Sequence, residues 1–143
     1  MTPGALAALH ARVFTAPPPW READFAAMLA DPVVFLLVEG DAAFLLGRAV
    51  PGEAELLTLA VAPEARRRGL ARGLVARFLY QARLRGAQAA FLEVASDNLP
   101  ALALYRGAGF APVGRRKGYA TAPGLPAQDA LVLSRAIRDA TAR

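Results

Sequence analysis

Apolar residues recur along this chain with two different spacings, and the change of spacing divides it into helices and strands. Leu70, Leu74, Phe78 and Ala82 recur at every fourth position with arginines between them, which is the spacing of one helix face. Shorter apolar runs bounded by Gly, Pro or Asp have the length and flanking residues of strands. The pattern predicts helices over residues 3–14, 21–30 and 70–85, a short helix between Asp97 and Gly109, and strands over residues 33–38, 42–50, 53–61, 88–94, 110–119 and 129–135.

The order of these elements, ααβββαβαββ, predicts a mixed α/β fold. The first three strands are separated by the short polar or Pro/Gly turns at residues 39–41 and 51–52, which favours an antiparallel meander. The helix over residues 70–85 lies between two strands, as in a crossover to a parallel neighbour. A chain of 143 residues is long enough to bury its own core, so we expect a single domain over residues 1–143.

Composition removes several classes of chemistry. The chain has no cysteine and one histidine, His10, which excludes disulfides, thiolate catalysis and cysteine or histidine metal clusters, so we expect no metal site. His10 falls in an apolar helical pattern, and we expect it to lie on a helix face without a catalytic role. No apolar run reaches the ~20 residues of a membrane span, and the N-terminus lacks a targeting pattern. We therefore expect a cytoplasmic protein without a membrane partner.

The net charge of +5 indicates an anionic partner. Nucleic acid, a ribosome, a membrane surface and a polyphosphate cofactor would all fit that charge. Much of it lies in two short clusters, residues 66–72 and 115–117, which suit a small polyanion better than a duplex. Few aromatic residues are interleaved with the basic ones, although single-strand binders usually stack bases on aromatic rings. We therefore expect no direct nucleic-acid role.

The first basic cluster has the form of a phosphate-binding turn. A predicted strand ends near Pro63, and the segment Arg66-x-x-Gly69-x-Ala71 leads directly into the next helix. Main-chain N–H groups at a helix start favour an anion, and small residues leave them open to a diphosphate. The segment is neither a Walker loop nor a dinucleotide fingerprint. A solvated arginine loop is the alternative interpretation.

The element order and a set of short motifs resemble the GNAT superfamily of acetyl-coenzyme A-dependent N-acetyltransferases. Within it, the chain resembles the RimI-type ribosomal-protein-alanine N-acetyltransferases, with continuous similarity over residues 59–116. The matching motifs are Leu59-Ala60-Val61-x-Pro63, Arg66-x-x-Gly69-x-Ala71, Leu92-Glu93-Val94, Asp97-Asn98, Ala103-Leu104-Tyr105, Gly109-Phe110 and, upstream, Pro19-Trp20.

The resemblance implies a sheet that splays open around acetyl-CoA. The strand ending at Val61 would part from the strand ending at Val94, and the pantetheine arm would lie in the gap. The implied contacts are the main chain of Leu59, Ala60 and Val61 for the arm, the N–H groups of Arg67, Arg68, Gly69, Leu70, Ala71 and Arg72 for the diphosphate, and Asn98 further along.

Acetyl transfer to an amine needs a base for the amine and an acid for the leaving thiolate. Glu93 stands in an apolar strand, where partial desolvation would make its carboxylate a stronger base, and the family pattern has its base here. Tyr105 follows twelve positions later on the short helix and matches the family's acid. The structural alternatives are an exposed glutamate at a strand end and a tyrosine that packs a helix on the sheet.

The acceptor is the least determined part of the reaction. An α-amine is neutral about one time in five to ten at pH 7 and a lysine about once in 2,500, which favours a protein N-terminus. The resemblance implies alanine of a small-subunit ribosomal protein. It assigns the acceptor side to Trp20, Arg115, Arg116 and Tyr119, although the family's Arg-Arg-Asn-Tyr-Tyr segment is altered here to Arg-Arg-Lys-Gly-Tyr.

Three interpretations of the whole chain therefore stay open at this point. The first is an acetyltransferase of a protein N-terminus, and the second keeps acetyl-CoA but acts on a small amine. The third is a non-catalytic basic module that binds RNA or the ribosome. Trp20 has two interpretations of equal weight: a contact with the acceptor, or a core residue that holds the first two helices together.

Overall fold

The computed structural model describes residues 1–14, 18–120 and 128–137, and for residues 119, 120 and 128 it describes the main chain alone. Each predicted element is present, with bounds within two residues of those expected, and a 3-10 turn follows the third strand. The elements are α1 (Pro3–Val13), α2 (Glu22–Leu29), β1 (Val34–Glu39), β2 (Ala43–Val50), β3 (Gly52–Val61), the 3-10 turn (Pro63–Ala65), α3 (Leu70–Leu84), β4 (Ala87–Ala95), α4 (Leu99–Gly107), β5 (Ala111–Ala120) and β6 (Gln128–Ala136).

The six strands form one mixed sheet in the order β1-β2-β3-β4-β6-β5. The first three strands make the predicted antiparallel meander. Helix α3 connects β3 to its parallel neighbour β4, and β6 lies between β4 and β5, antiparallel to both. The mixed α/β fold class is confirmed, whereas the insertion of β6 has no signal in the local sequence.

The parallel pair β3 and β4 is joined along only part of its length. The ladder runs from Gly52 and Ala87 to Glu55 and Phe91 and then ends, among the described residues, although both strands continue. On its other side β3 stays paired with β2 up to Val61. The sheet is therefore open between the C-terminal halves of β3 and β4, which confirms the splay that the family resemblance implied.

Helices cover both faces of the sheet. Helices α3 and α4 pack on one face, where Leu74, Phe78 and Ala82 of the predicted apolar stripe are buried. Helices α1 and α2 pack on the other face, mainly over β1 to β3, with Phe25 against Phe44. Helices α1 and α2 leave the part of this face formed by β4, β6 and β5 less covered, and the polar residues of the site described below lie there.

A close approach of α3 to β2 explains one glycine in the sheet. A Cβ atom at Gly47 would lie 2.7 Å from the ring of Phe35 and 2.8 Å from that of Phe78. These two rings stack with their centroids 5.9 Å apart. Only a residue without a side chain leaves room for this stack, and the β2–β3 register shifts beside it.

Some sequence predictions fall outside the described part of the chain. The loop predicted from Ala120 to Gln128 has its two end residues in β5 and β6, and its residues 121–127 are not described. The proline run begins at residue 17, which is not described either. Within the described residues, every helix is too short or too polar to cross a bilayer.

Candidate active site

The turn before α3 exposes a row of main-chain donors. Arg67 and Gly69 have left-handed backbone angles, with φ of 65° and 75°, and the first hydrogen bond of the helix runs from Gly73 N–H to the Gly69 carbonyl at 3.0 Å. Among the residues that the structure describes, none accepts a hydrogen bond from the N–H groups of residues 67–72. Alternating left-handed residues and a free helix start together make a concave anion site.

A cleft of about 520 Å³ extends from this turn to α4. Its charged end has three arginines of the turn, while Arg68 is exposed and does not line it. Its other end is apolar. Acetyl-CoA carries a diphosphate and a long arm with few charges, so the two ends match the two parts of that molecule. The lining residues are Val61, Ala65, Arg66, Arg67, Gly69, Leu70, Ala71, Arg72, Pro100, Ala103 and Leu104.

The edge of β3 along the opening has main-chain groups available to the same ligand. Leu59, Ala60 and Val61 pair with β2 on one side, while the β3–β4 ladder has already ended on the other. An arm with amide groups can therefore add to β3 at this edge as a strand would. Asn98, which the resemblance assigns to the cofactor arm, caps α4: its Oδ1 accepts a hydrogen bond from Ala101 N–H at 3.2 Å.

Glu93 lies on the polar face of β4, and the expectation of an apolar setting is wrong. Its neighbours Leu92 and Val94 are buried against the helices, so Glu93 projects from the opposite face because strand residues alternate. One third of its side chain is exposed. Its Oε1 accepts a hydrogen bond of 2.7 Å from Arg116 Nη1. The Glu93 carboxylate therefore has a charged partner, Arg116, which reaches it from β5 on the far side of β6. We had expected a desolvated setting.

Tyr105 lies in the opposite environment. It is 7% exposed and packs in the core beneath α4, with its ring centroid 6.1 Å from that of Phe110. Burial raises the pKa of the Tyr105 hydroxyl above its usual value of 10.0, so the phenol keeps its proton at neutral pH. Tyr105 thus packs its helix on the sheet, as the structural alternative predicted. It also keeps the proton that a general acid requires.

Sequence reasoning missed a second carboxylate near Glu93. Glu55 of β3 is paired in register with Phe91, and both line a cavity of about 270 Å³ together with Arg48 and Val132. Partial burial raises the pKa of the Glu55 carboxyl, the charge of Glu93 raises it further, and Arg48 opposes the shift. The acidic positions 53 and 55, two apart on a predicted strand, were the available signal.

The predicted acceptor residues are brought together only in part. Arg116 meets Glu93, whereas Arg115 binds Asp129 at 2.8 Å. Trp20 is partly buried and packs against the Phe25 ring at a centroid distance of 5.2 Å. It therefore makes the packing contact between the first two helices that was one of its two predicted roles. Tyr119 lies on β5, and its side chain is outside the described part of the structure.

Comparison with known proteins relates this geometry to one family. The model of the acetyltransferase (GNAT) family matches residues 6–110. The chain is 35% identical over 120 residues to the [ribosomal protein bS18]-alanine N-acetyltransferase of Salmonella typhimurium, covering 81% of this chain and 80% of that protein. It is 36% identical over 129 residues to the N-alpha-acetyltransferase RimI of Mycobacterium tuberculosis, covering 85% and 80%.

A solved structure agrees with these relatives over nearly the whole chain. The crystal structure of the ribosomal-protein-S18-alanine N-acetyltransferase from Escherichia coli superposes with a TM-score of 0.82 and 28% identity, covering 99% of this chain and 92% of that one. The splayed strands and the turn before α3 described above are thus found in a chain whose sequence and fold both match one family. The protein belongs to the GNAT family of acetyltransferases, whose acetyl donor is acetyl-CoA.

Proposed function

We propose that the protein transfers the acetyl group of acetyl-CoA to the α-amine of a protein N-terminus, and that its acceptor is the N-terminal alanine of a small-subunit ribosomal protein. The names of the relatives from S. typhimurium and E. coli support this acceptor. The chemistry supports it as well. An α-amine is neutral far more often than a lysine at pH 7, and an exposed carboxylate is a modest base that suits the less basic amine.

Glu93 is the proposed general base. It lies on the face of β4 that α1 and α2 leave open, where an acceptor can approach, and the Arg116 hydrogen bond holds its carboxylate in one orientation. Glu93 takes the proton that the amine loses as the new amide bond forms, directly or through one water. Glu55 is a second carboxylate near Glu93, and the two together favour the approach of a cationic acceptor, which loses one proton to solvent to become the neutral amine before it attacks.

Tyr105 is the proposed general acid. Acetyl-CoA supplies a thioester, whose sulfur must take up a proton when the carbon–sulfur bond breaks. Tyr105 and Glu93 belong to opposite faces of β4, and the two faces communicate through the opening beyond Glu55 and Phe91. A buried phenol that stays protonated is a suitable donor on the cleft side, while the base works on the acceptor side.

The observation that carries the proposal is the position of this opening. At one end it has the N–H groups of residues 67–72, which have no acceptor within the described part of the chain, and Glu93 lies beside it, so that one extended ligand bound at the turn would end near the base. A bare phosphate-binding turn would support many ligands. Here the turn, the open strand edge and the carboxylate follow one another along the opening, and this arrangement supports acyl transfer to a nucleophile that needs deprotonation.

A substrate panel tests the acceptor. Purified protein and acetyl-CoA are incubated with peptides that begin with alanine, with the same peptides blocked at the N-terminus and carrying a free lysine, and with polyamines and aminoglycosides. Mass spectrometry then locates the added acetyl group. We expect acetylation of the free α-amine alone, and turnover confined to the small amines would refute the proposed acceptor while leaving the acetyltransferase activity intact.

A further inference from the structure

His10 is buried and makes two hydrogen bonds to different parts of the fold. The main-chain N–H of Trp20 donates to His10 Nδ1 at 3.0 Å. The other ring nitrogen, Nε2, is 2.9 Å from Thr58 Oγ1 on β3. The ring is 2% exposed, although it belongs to α1 and was expected to be an ordinary helix-face residue. One side chain therefore connects the segment between α1 and α2 with the third strand.

The bond from Trp20 fixes the state of the imidazole. An N–H donor requires an acceptor, so Nδ1 carries no proton, and in the neutral ring the proton is then on Nε2, from which it is donated to Thr58. Desolvation lowers the pKa of His10 to about 4, so this neutral tautomer is the form present at neutral pH. The chain of donors runs in one direction, from Trp20 through His10 to Thr58.

The surroundings of the ring hold it in this orientation. The His10 ring stacks on Phe14 with a centroid distance of 4.0 Å and an interplanar angle of 12°. Phe25 meets it edge-on at 5.5 Å and Trp20 lies at 5.9 Å. A leucine would fill such an apolar site without the cost of burying a polar ring. The two hydrogen bonds are therefore the property that distinguishes histidine here from an apolar residue.

Both ends of this connection lead to the proposed site. Thr58 immediately precedes Leu59, the first of three residues whose main chain faces the opening beside β4. Trp20 is the aromatic residue that the family resemblance assigns to the acceptor side, and its ring packs against Phe25. We propose that His10 is a positioning residue, which holds Trp20 at a fixed place relative to the cofactor strand and so sets the affinity for the acceptor. This inference rests on the proposed function, because it needs an acceptor bound near Trp20.

Two substitutions separate the hydrogen bond from the packing. His10→Leu removes both polar contacts and fills the site with an apolar side chain. His10→Asn keeps an acceptor oxygen close to the place of Nδ1, so that the Trp20 N–H retains a partner. For His10→Leu we expect the KM for the acceptor peptide to rise about tenfold, the factor that one hydrogen bond of ordinary strength is worth. The KM for acetyl-CoA should stay within about twofold.

The asparagine variant is the rescue. We expect its KM for the acceptor to stay within about threefold of the wild type. Trp20 is the only tryptophan in the chain, so its emission reports on the same segment without catalysis. Emission should shift to the red and acrylamide quenching should increase in His10→Leu, and both should stay close to the wild type in His10→Asn. A residue that served packing alone would change thermal stability and Trp20 emission to a similar extent in both variants, since the two rings are 5.9 Å apart, and would leave the KM for the acceptor unchanged in both.

Three results would overturn the inference. These are an unchanged acceptor KM in folded His10→Leu, equal effects of leucine and asparagine, or unchanged Trp20 emission in both variants. If His10→Leu does not fold, Thr58→Val replaces it, since valine keeps the shape and removes the hydroxyl. We then expect an acceptor KM about threefold higher, and no change would refute the inference. If the wild type acetylates no N-terminus, the proposed function fails. The emission of Trp20 in the two variants would still test whether His10 holds Trp20 in place.

Discussion

At the scale of single residues, the proposed acid and base depend on opposite surroundings. Tyr105 is enclosed by core side chains, while Glu93 is paired with Arg116 on a partly exposed face. Alternation along β4 produces this difference, because Leu92 and Val94 occupy the core side of the strand. The sequence predicts a role for both residues, and its expectation of an apolar setting for Glu93 is wrong because the setting of a strand residue depends on what covers its face.

Removing either group should slow the reaction without loosening the cofactor. We expect Glu93→Gln and Tyr105→Phe each to lower kcat by about 100-fold or more, the usual contribution of a general base or acid. Neither side chain lines the phosphate end of the cleft, so the calorimetric Kd for acetyl-CoA should stay within about twofold. Steady-state kinetics with an N-terminal alanine peptide gives kcat.

The chain offers a matched control for the glutamate. Glu39 at the end of β1 is also a partly exposed strand carboxylate, and it pairs with Arg77 at 2.9 Å as Glu93 pairs with Arg116. Glu39→Gln removes a comparable ion pair away from the opening and should leave kcat unchanged. Equal losses in both glutamine variants would point to a general effect on stability and would remove Glu93 from the chemistry.

At the scale of elements, the turn before α3 and the end of the β3–β4 ladder form the cleft in which we expect the cofactor to bind. The turn was predictable because its requirements are local: a strand that ends at a proline, a glycine at a left-handed position and a helix start. The opening beside it was implied by family resemblance alone. The place where a ladder ends depends on how two strands twist apart, and residues close in sequence do not specify that.

Gly69 and Gly73 allow the turn to be tested against the helix that follows it. Gly69 has φ of 75° and its Cβ position is open, so the cost of Gly69→Ala comes from the backbone alone. The strained turn should redirect its N–H groups, and we expect the Kd for acetyl-CoA to rise about tenfold, equivalent to ~1.4 kcal/mol.

The control is Gly73→Ala, one helix turn later. Its Cβ would also meet open space, but its backbone is helical, so alanine should leave the Kd unchanged and stabilise α3 by up to about 1 kcal/mol. Isothermal titration and urea unfolding measure the two quantities. If Gly69→Ala binds acetyl-CoA as tightly as the wild type, the left-handed turn does not hold the diphosphate.

At the scale of the whole molecule, His10 links α1 to the sheet, and its titration should appear in the stability of the fold. The pKa of His10 is lowered from 6.5 to about 4 by burial. Between these values the unfolded chain binds a proton that the folded protein excludes, so the free energy of unfolding falls as pH falls through this window. The full shift corresponds to about 3 kcal/mol.

Urea unfolding between pH 7 and pH 4.5 measures this dependence. His10→Asn removes the titrating group and keeps a polar side chain, so its free energy of unfolding should decline less steeply over the same range. The comparison is between slopes, and a difference in stability at pH 7 does not affect it. Parallel slopes for the two proteins would show that His10 does not resist protonation in the folded state.

Local sequence patterns were sufficient to predict the helices, the strands, their order and the glycine turn before α3. These features follow from periodicity and from turn residues a few positions apart, which are local properties of the chain. Its motifs also pointed to the family. Tertiary structure alone decided the rest: the insertion of β6 between β4 and β5, Arg116 beside Glu93, Glu55 near the same carboxylate and the link from His10 to Thr58. Each of these joins residues far apart in the chain, so only the packing of the elements brings them into contact.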